Sequence, residues 1–221
     1  MDVFEIMRAR HSVRSFNDKK IEGDALAALN ELIKECNADG DLNFQLCLDE
    51  PLAFSSFLAH LGKFNNTRNY IALVGKKSDT LREKVGRYGE KIVLRATQLG
   101  MGTCWVGGTY SKSKCAATVG KDEKLVCVIA IGYFYVDGTP NKLKPLTDFY
   151  TATGDVPEWF LRGVEAARLA PSALNQQKYH FTLSGDRAIA TAGKGAYTDL
   201  DLGIAKYHFE LGAGVDEKIW K

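Results

Sequence analysis

The run LVCVIAIGYF, Leu125–Phe134, constrains this chain more than any other segment. It carries no charge, is rich in β-branched residues, and has the length of a strand. Continuous apolar character of this kind marks a strand covered on both faces, so it is expected at the centre of a sheet. YIALVG, from Tyr70, reads the same way. Both runs need helices to cover them, and the periodicity supplies these. Leu26, Leu29, Ile33 and Cys36 share one face of a helix from Glu22 to Cys36, which the turn residues Asn37, Asp39 and Gly40 are expected to end. Leu81, Val85, Tyr88, Ile92, Ala96 and Leu99 form the stripe of a longer helix over 80–99.

Shorter elements fill the remainder. A helix is expected over 2–9, a strand from Asn43, and an irregular or weakly helical stretch over 51–68. CWVGG is expected as a short apolar segment after the long helix, followed by a short helix over 112–119. A polar excursion, DGTPNKLKPLTDF, comes next. A helix over 157–169, a strand from Tyr179 and a last helix over 200–211 complete the chain. This order predicts an α+β fold, with helices packed on a mixed sheet.

The long helix closes on Leu99-Gly100-Met101-Gly102 and the last on Leu211-Gly212-Ala213-Gly214. The helix–turn–strand unit at 22–49 also has a counterpart at 157–185. A degenerate internal duplication accounts for both.

Composition enters as exclusion. With 29 Lys+Arg against 27 Asp+Glu, the charge is too balanced to predict nucleic acid as the main partner. No apolar run has the length to span a bilayer, and MDVFEIMRAR lacks the apolar core of a secretory signal. The five cysteines, Cys36, Cys47, Cys104, Cys115 and Cys127, are odd in number and show no C-x-x-C spacing. They fit neither a disulfide framework nor a zinc site, and no metal site is expected. Cys47, Cys104 and Cys127 are expected as core residues, and a cytoplasmic location suits free thiols.

Three segments carry candidate chemistry. In RHSVRSF, an extended backbone points Arg10, Ser12 and Arg14 the same way, making a clamp for a phosphate or a pyrimidine dione. LGMGTCWVGG is glycine-rich but follows a helix, so it is no dinucleotide fingerprint; its glycines admit a flat ligand close to the backbone. In APSALNQQKYHF, a turn bearing Ser172, Asn175 and Gln177 offers groups that donate and accept at once. NKLKP adds Lys142 and Lys144.

Taken together, RHSVRSF, the helix ending in LGMGTCWVGG, the strand ending in IGY, the K-x-K segment and APSALNQQKYHF resemble the nitroreductase family. The last segment is similar to that family's A-P-S-x-x-N-x-Q-P-W-x-F signature, with Lys178-Tyr179 in place of Pro-Trp. In common members the A-P-S turn follows the first helix, and the flavin site is completed by a partner subunit. Here the slot ECNADGDLNFQ lacks it. The chain resembles a subgroup with both half-sites fused in one chain, a monomeric pseudo-dimer. It would be a single domain over 1–221, with pseudo-repeat halves of about 1–150 and 151–221, holding one FMN.

The resemblance implies site roles. Arg10 and Ser12 contact the FMN phosphate or ribityl end, with His11 a flavin neighbour, and Arg14 sits near the N1–C2=O edge. Asn65 and Arg68 match a polar pair at the pyrimidine edge. Gly107 and Gly108 present backbone amides to N5 and O4. Lys142 and Lys144 hold the phosphate. Pro171, Ser172, Ala173 and Asn175 form the turn that relatives take from a partner. No catalytic side chain is required, because the flavin carries the chemistry. The implied activity is hydride transfer from NAD(P)H through flavin N5 to a small-molecule acceptor such as a nitroaromatic or quinone. The alternatives are a flavin-dependent dehydrogenase or dehalogenase, or a non-catalytic flavin-binding module. The segment 51–68 or 186–200 would form the lid that separates them.

Overall fold

In a computed structural model of the chain, residues 2–136 and 138–221 are described. Asp137, where the expected polar excursion begins, lies outside them. In chain order the elements are α1 (Val3–Ala9), α2 (Gly23–Gly40), β1 (Gln45–Cys47), α3 (Phe57–Leu61), β2 (Tyr70–Lys76), α4 (Leu81–Gln98), β3 (Gly102–Val106), β4 (Glu123–Gly132), β5 (Tyr150–Thr151), α5 (Glu158–Arg168), β6 (Tyr179–Ser184), β7 (Arg187–Ala192) and α6 (Thr198–Ala213). The fold is α+β, as expected. Two units are distinguished: one of Ala9–Leu81 and Lys91–Pro140, the other of residues 2–8, Arg82–Glu90 and Asn141–Lys221.

The first unit is built on an antiparallel sheet of order β1-β2-β4-β3. Its centre is the pair β2–β4, with Tyr70 opposite Ala130 and Ile71 opposite Ile129. Ile71, Leu73, Ile129 and Ile131 are fully buried, and so are Tyr70, Ala72, Val128 and Ala130. Because neighbouring side chains point to opposite faces, both faces of the pair are covered, which explains the unbroken apolar runs. One face joins Val13, Phe16, Phe54, Phe64, Cys104 and Tyr110 in a core. Cys36, Cys47 and Cys127 are buried too. Burial raises the thiols of Cys36 and Cys47 to about 11, which suits packing and not nucleophilic chemistry.

Two expectations fail here. Helix α2 does not stop at Asn37 but runs on to Gly40. The Asn37 side chain is used elsewhere: it accepts from the Phe44 N–H (2.7 Å) and donates to the Phe44 carbonyl (3.0 Å). Asp41, at φ 50°, makes the turn instead. The helix expected over 112–119 is only a single 3-10 turn, Lys112–Lys114. Beyond it, the Ala116 N–H donates to the Tyr70 hydroxyl and the Gln45 amide grips both backbone groups of Thr118. These tertiary partners override helix propensity.

The second unit centres on α6. Its sheet has order β5-β6-β7, with β5–β6 parallel and β6–β7 antiparallel. Strand β7 was not foreseen. It pairs with β6 across a two-residue Gly185-Asp186 turn, with Gly185 at φ 67°. Helix α6 meets the Arg82–Glu90 part of α4 at backbone distance: a Cβ on Gly203 would lie 2.0 Å from the Glu83 carbonyl oxygen. The L-G-x-G echo is one of letters only. Gly100 makes the turn after α4, whereas Gly212 stays inside α6 and Gly214 makes the turn.

Candidate functional site

After α1 the chain becomes extended because its backbone finds partners on both sides. The Val13 N–H donates to the Thr103 carbonyl of β3 (2.9 Å), and Ser12 bridges Thr103 in parallel register. On the other side the Asn65 N–H donates to the Arg14 carbonyl and the Phe16 N–H to the Asn65 carbonyl. Val13 and Phe16 point into the core. The charges of Arg14 and Arg10 bear on the Cys104 thiol of β3, and together with Ser12 they favour its ionised form. Burial outweighs them and raises the thiol pKa. Arg10 is itself buried, whereas Arg14 is exposed. Its Nη1 donates to the Gly62 carbonyl (3.0 Å), and its guanidinium lies 5.5 Å from the Phe64 ring centroid.

Strand β3 leads out of this cluster to Gly107 and Gly108. Gly108 is exposed, and a Cβ there would meet nothing within 4 Å, so its backbone faces open space. His11 is half-buried, with Gly138 packed on it and on Ser12. Asn65 and Arg68 are placed differently. Asn65 donates to the Ser15 hydroxyl (3.0 Å), while Arg68 Nε donates to Asp49 Oδ1 (2.7 Å). Arg68 lines a cavity of about 460 Å³ with Asn17, Lys19, Asp49, Asn66 and Asn69, apart from the Arg10–Ser12–Arg14 cluster.

The remaining candidates lie in the second unit, where the K-x-K segment and the A-P-S turn are laced together. The Lys142 carbonyl accepts from Asn175 Nδ2 (2.8 Å) and Gln177 Nε2 (2.9 Å). The Lys144 N–H donates to Gln177 Oε1, and its ammonium donates to the carbonyls of Gln176 (2.8 Å) and Gln177 (3.2 Å). Lys144 is therefore a staple of the turn, while Lys142 is exposed. Within the turn, the Gln177 N–H donates to the Ser172 hydroxyl (2.9 Å). Pro171 is buried. Leu174, Asn175 and Gln177 have φ of 52°, 53° and 48°. Three non-glycine residues in the left-handed region within four positions are costly, and the surrounding hydrogen bonds hold them there.

Sequence reasoning missed one of those holders. Asp201, on the first turn of α6, accepts from the Ala173 N–H with both carboxylate oxygens (3.0 and 3.2 Å) and from Gln176 Nε2 (2.8 Å). Burial pushes its carboxyl up to about 6, against the pull of these donors. The available signal was an acid inside the apolar run LDLGIA. In place of the signature's Trp, Tyr179 turns inward and its hydroxyl donates to the Ala167 carbonyl (3.0 Å). Lys178 is exposed.

A family model described as "Putative TM nitroreductase" matches residues 2–213. No curated protein matches the chain significantly. Among solved structures, one described as a putative nitroreductase from Thermotoga maritima msb8 is 28% identical, with a TM-score of 0.63; the match covers 96% of this chain and 83% of that one. A nitroreductase family protein from Clostridium difficile 630 is 14% identical with a TM-score of 0.54, matching 67% of this chain and 96% of its own. The Nitroreductase Family Protein from Streptococcus pneumoniae TIGR4 is 15% identical with a TM-score of 0.53, over 66% and 96%. The last two share the fold. On the match over residues 2–213, the chain belongs to the nitroreductase family.

Proposed function

We propose that this protein is an FMN-dependent oxidoreductase that takes hydride from NAD(P)H and passes it to a small-molecule acceptor such as a nitroaromatic or a quinone. The observation that carries the reading is the extended segment bearing Arg10, Ser12 and Arg14, tied through Ser12 and Val13 to β3, the strand that leads to the open backbone of Gly108, in a chain of this family. The residues fit a flavin mononucleotide. Guanidinium and hydroxyl donors suit a phosphate or a dione edge. Gly108 admits a flat ring against the backbone. In the A-P-S turn, Asn175 Oδ1 is a buried acceptor without a hydrogen-bond partner among the described residues, so it suits a donor from a ligand.

The resemblance assigns flavin contacts residue by residue. Arg10 and Ser12 would hold the phosphate or ribityl end, with Lys142, whose ammonium the turn does not engage, as a further cation. Arg14 would stand at the N1–C2=O edge, where a fixed positive charge stabilises negative charge developing on reduction. Gly107 and Gly108 would offer backbone N–H groups to N5 and O4. When bound, FMN supplies the two-electron chemistry, so no side-chain acid or base is needed. The match of whole nitroreductase-fold subunits to two thirds of this chain leaves a third over. That surplus supports the fused reading, with one FMN per chain in a monomer.

Flavin absorbance on purification, followed by titration with FMN, tests the reading. A stoichiometry of one per chain is expected, with bleaching on anaerobic addition of NADH or NADPH. A protein that binds no FMN contradicts the reading. One that binds FMN but stays oxidised with both nucleotides is a flavin-binding module.

A further inference from the structure

Asp201 is a buried acid of the second unit that the chemistry above does not use. It stands where α6 begins, 1% exposed, and all three of its hydrogen bonds go to the segment Ala173–Gln176. No Lys, Arg or His among the described residues forms an ion pair with it. Its own helix adds the exposed Asp199. From β6 it faces the Tyr179 phenol, whose pKa is raised by burial, the Asp201 charge and Glu90. Glu90, on α4, is paired with His208. A carboxylate buried without a cation is unfavourable for the fold, and a neutral Asn or Ser could cap a backbone N–H at lower cost. What the charged form provides is an acceptor at both oxygens, locking a turn that contains three left-handed residues.

We infer that Asp201 is a positioning residue for the cofactor: by gripping the Ala173 N–H and the Gln176 amide, it fixes the turn in the shape that presents Ser172, Ala173 and Asn175 to the flavin. The inference rests on the flavin reading above. Asp201 would act only through the turn, since its side-chain hydrogen bonds go to Ala173 and Gln176. Protonation gives one of its oxygens a hydrogen that faces donors, so the grip loosens in acid. Its raised pKa places that change near 6.

The test uses the full chain as wild type and as Asp201→Asn. FMN affinity is measured by flavin fluorescence from pH 5 to 8, and melting temperature is measured without flavin. At pH 8 the variant is expected to bind FMN about tenfold more weakly, the scale of one lost charge-assisted hydrogen bond. Its melting temperature should equal or exceed that of wild type. The ratio of the two affinities should shrink towards one as pH falls through about 6. Titration of the FMN phosphate cancels in that ratio, because both proteins see the same ligand. Equal affinities at pH 8, or a ratio that does not change with pH, overturn the inference while leaving the flavin reading standing. A fall in affinity accompanied by a lower melting temperature marks a merely structural role and also overturns it. Absence of FMN binding by wild type at every pH fails the flavin reading itself, and the inference with it.

Discussion

The four-stranded sheet and helix α6 are both buried, but they are held by different physics. Around β2 and β4 the buried side chains are almost all apolar, and their attraction has no direction. Around α6, four polar residues each reach a different partner. Asp201 binds the A-P-S turn, Lys206 binds Glu83 (2.6 Å), His208 binds Glu90 (2.9 Å), and Glu210 binds Arg87 (2.8 Å) and Trp220. The backbone of α6 touches that of α4 at Gly203 and Gly86. An apolar sheet core tolerates rearrangement so long as volume is kept. The α6 contacts admit one arrangement, and the turn with candidate flavin contacts is attached to them.

The sharpest way to break this contrast is to thicken α6 where it touches α4. Gly203→Val would put its Cβ 2.0 Å from the Glu83 carbonyl oxygen. Overpacking against backbone should cost about 3 kcal/mol or more, read as a lower urea midpoint. Gly108→Ala, in open space, should stay within about 0.5 kcal/mol of wild type. Similar midpoints for the two variants would remove close helix contact as a constraint.

A smaller effect tests the buried polar pair. His208 and Glu90 are both fully buried, and His208 Nδ1 also faces the Ala166 carbonyl (3.2 Å). Glu90→Leu alone should cost about 2 kcal/mol by leaving the buried His208 Nε2 without its hydrogen-bond partner. Adding His208→Leu should recover most of that loss. For comparison, Ile129→Val in the sheet should cost about 1 kcal/mol, with no partner mutation able to restore it. A double variant no more stable than Glu90→Leu alone would mean that the pair does not act as a unit.

The same contrast governs what was legible in the sequence. Apolar patterning is local, so β2, β4 and the long helices α2 and α4 could be read directly, including the central place of β4. The alternation of Arg10, Ser12 and Arg14 let RHSVRSF be read as extended. Strand β7 could not: RAIATA is mostly small residues, and only its pairing to β6 makes it a strand. The roles of Lys144 and Asp201 depend on which carbonyl or N–H the fold brings to each, and spacing carries no record of that. The division of labour between Lys142 and Lys144 was likewise not readable.

Acidity should separate the two regions next. The carboxyls raised by burial include Asp201 and Glu210, both on α6. A folded-state pKa above the unfolded value means that the native state holds the extra proton between the two. Stability from this source is therefore full at acid pH and is lost as pH rises through about 6. For Asp201 the change is on the order of 2 kcal/mol. Denaturation at pH 5 and 7.5 should show wild type losing stability relative to Asp201→Asn as pH rises. Parallel profiles for the two proteins would show that the Asp201 charge is not strained.

The smallest effect belongs to Leu174. Its side chain is fully exposed, and its backbone sits at φ 52°. Leucine in the left-handed region is disfavoured by about 1 kcal/mol, and nothing it packs against offsets that. Asparagine tolerates the same backbone, so Leu174→Asn should stabilise the apo protein by about 0.5 kcal/mol, seen as a slightly higher melting temperature. An apolar side chain held out of the core at a backbone cost has a use only if something apolar lies against it when the protein works. The same variant should therefore bind FMN, or the acceptor, more weakly than wild type. A gain in stability with unchanged ligand binding would reduce Leu174 to a tolerated imperfection, and would leave the grip of Asp201 and Lys144 as the reason the turn keeps its shape.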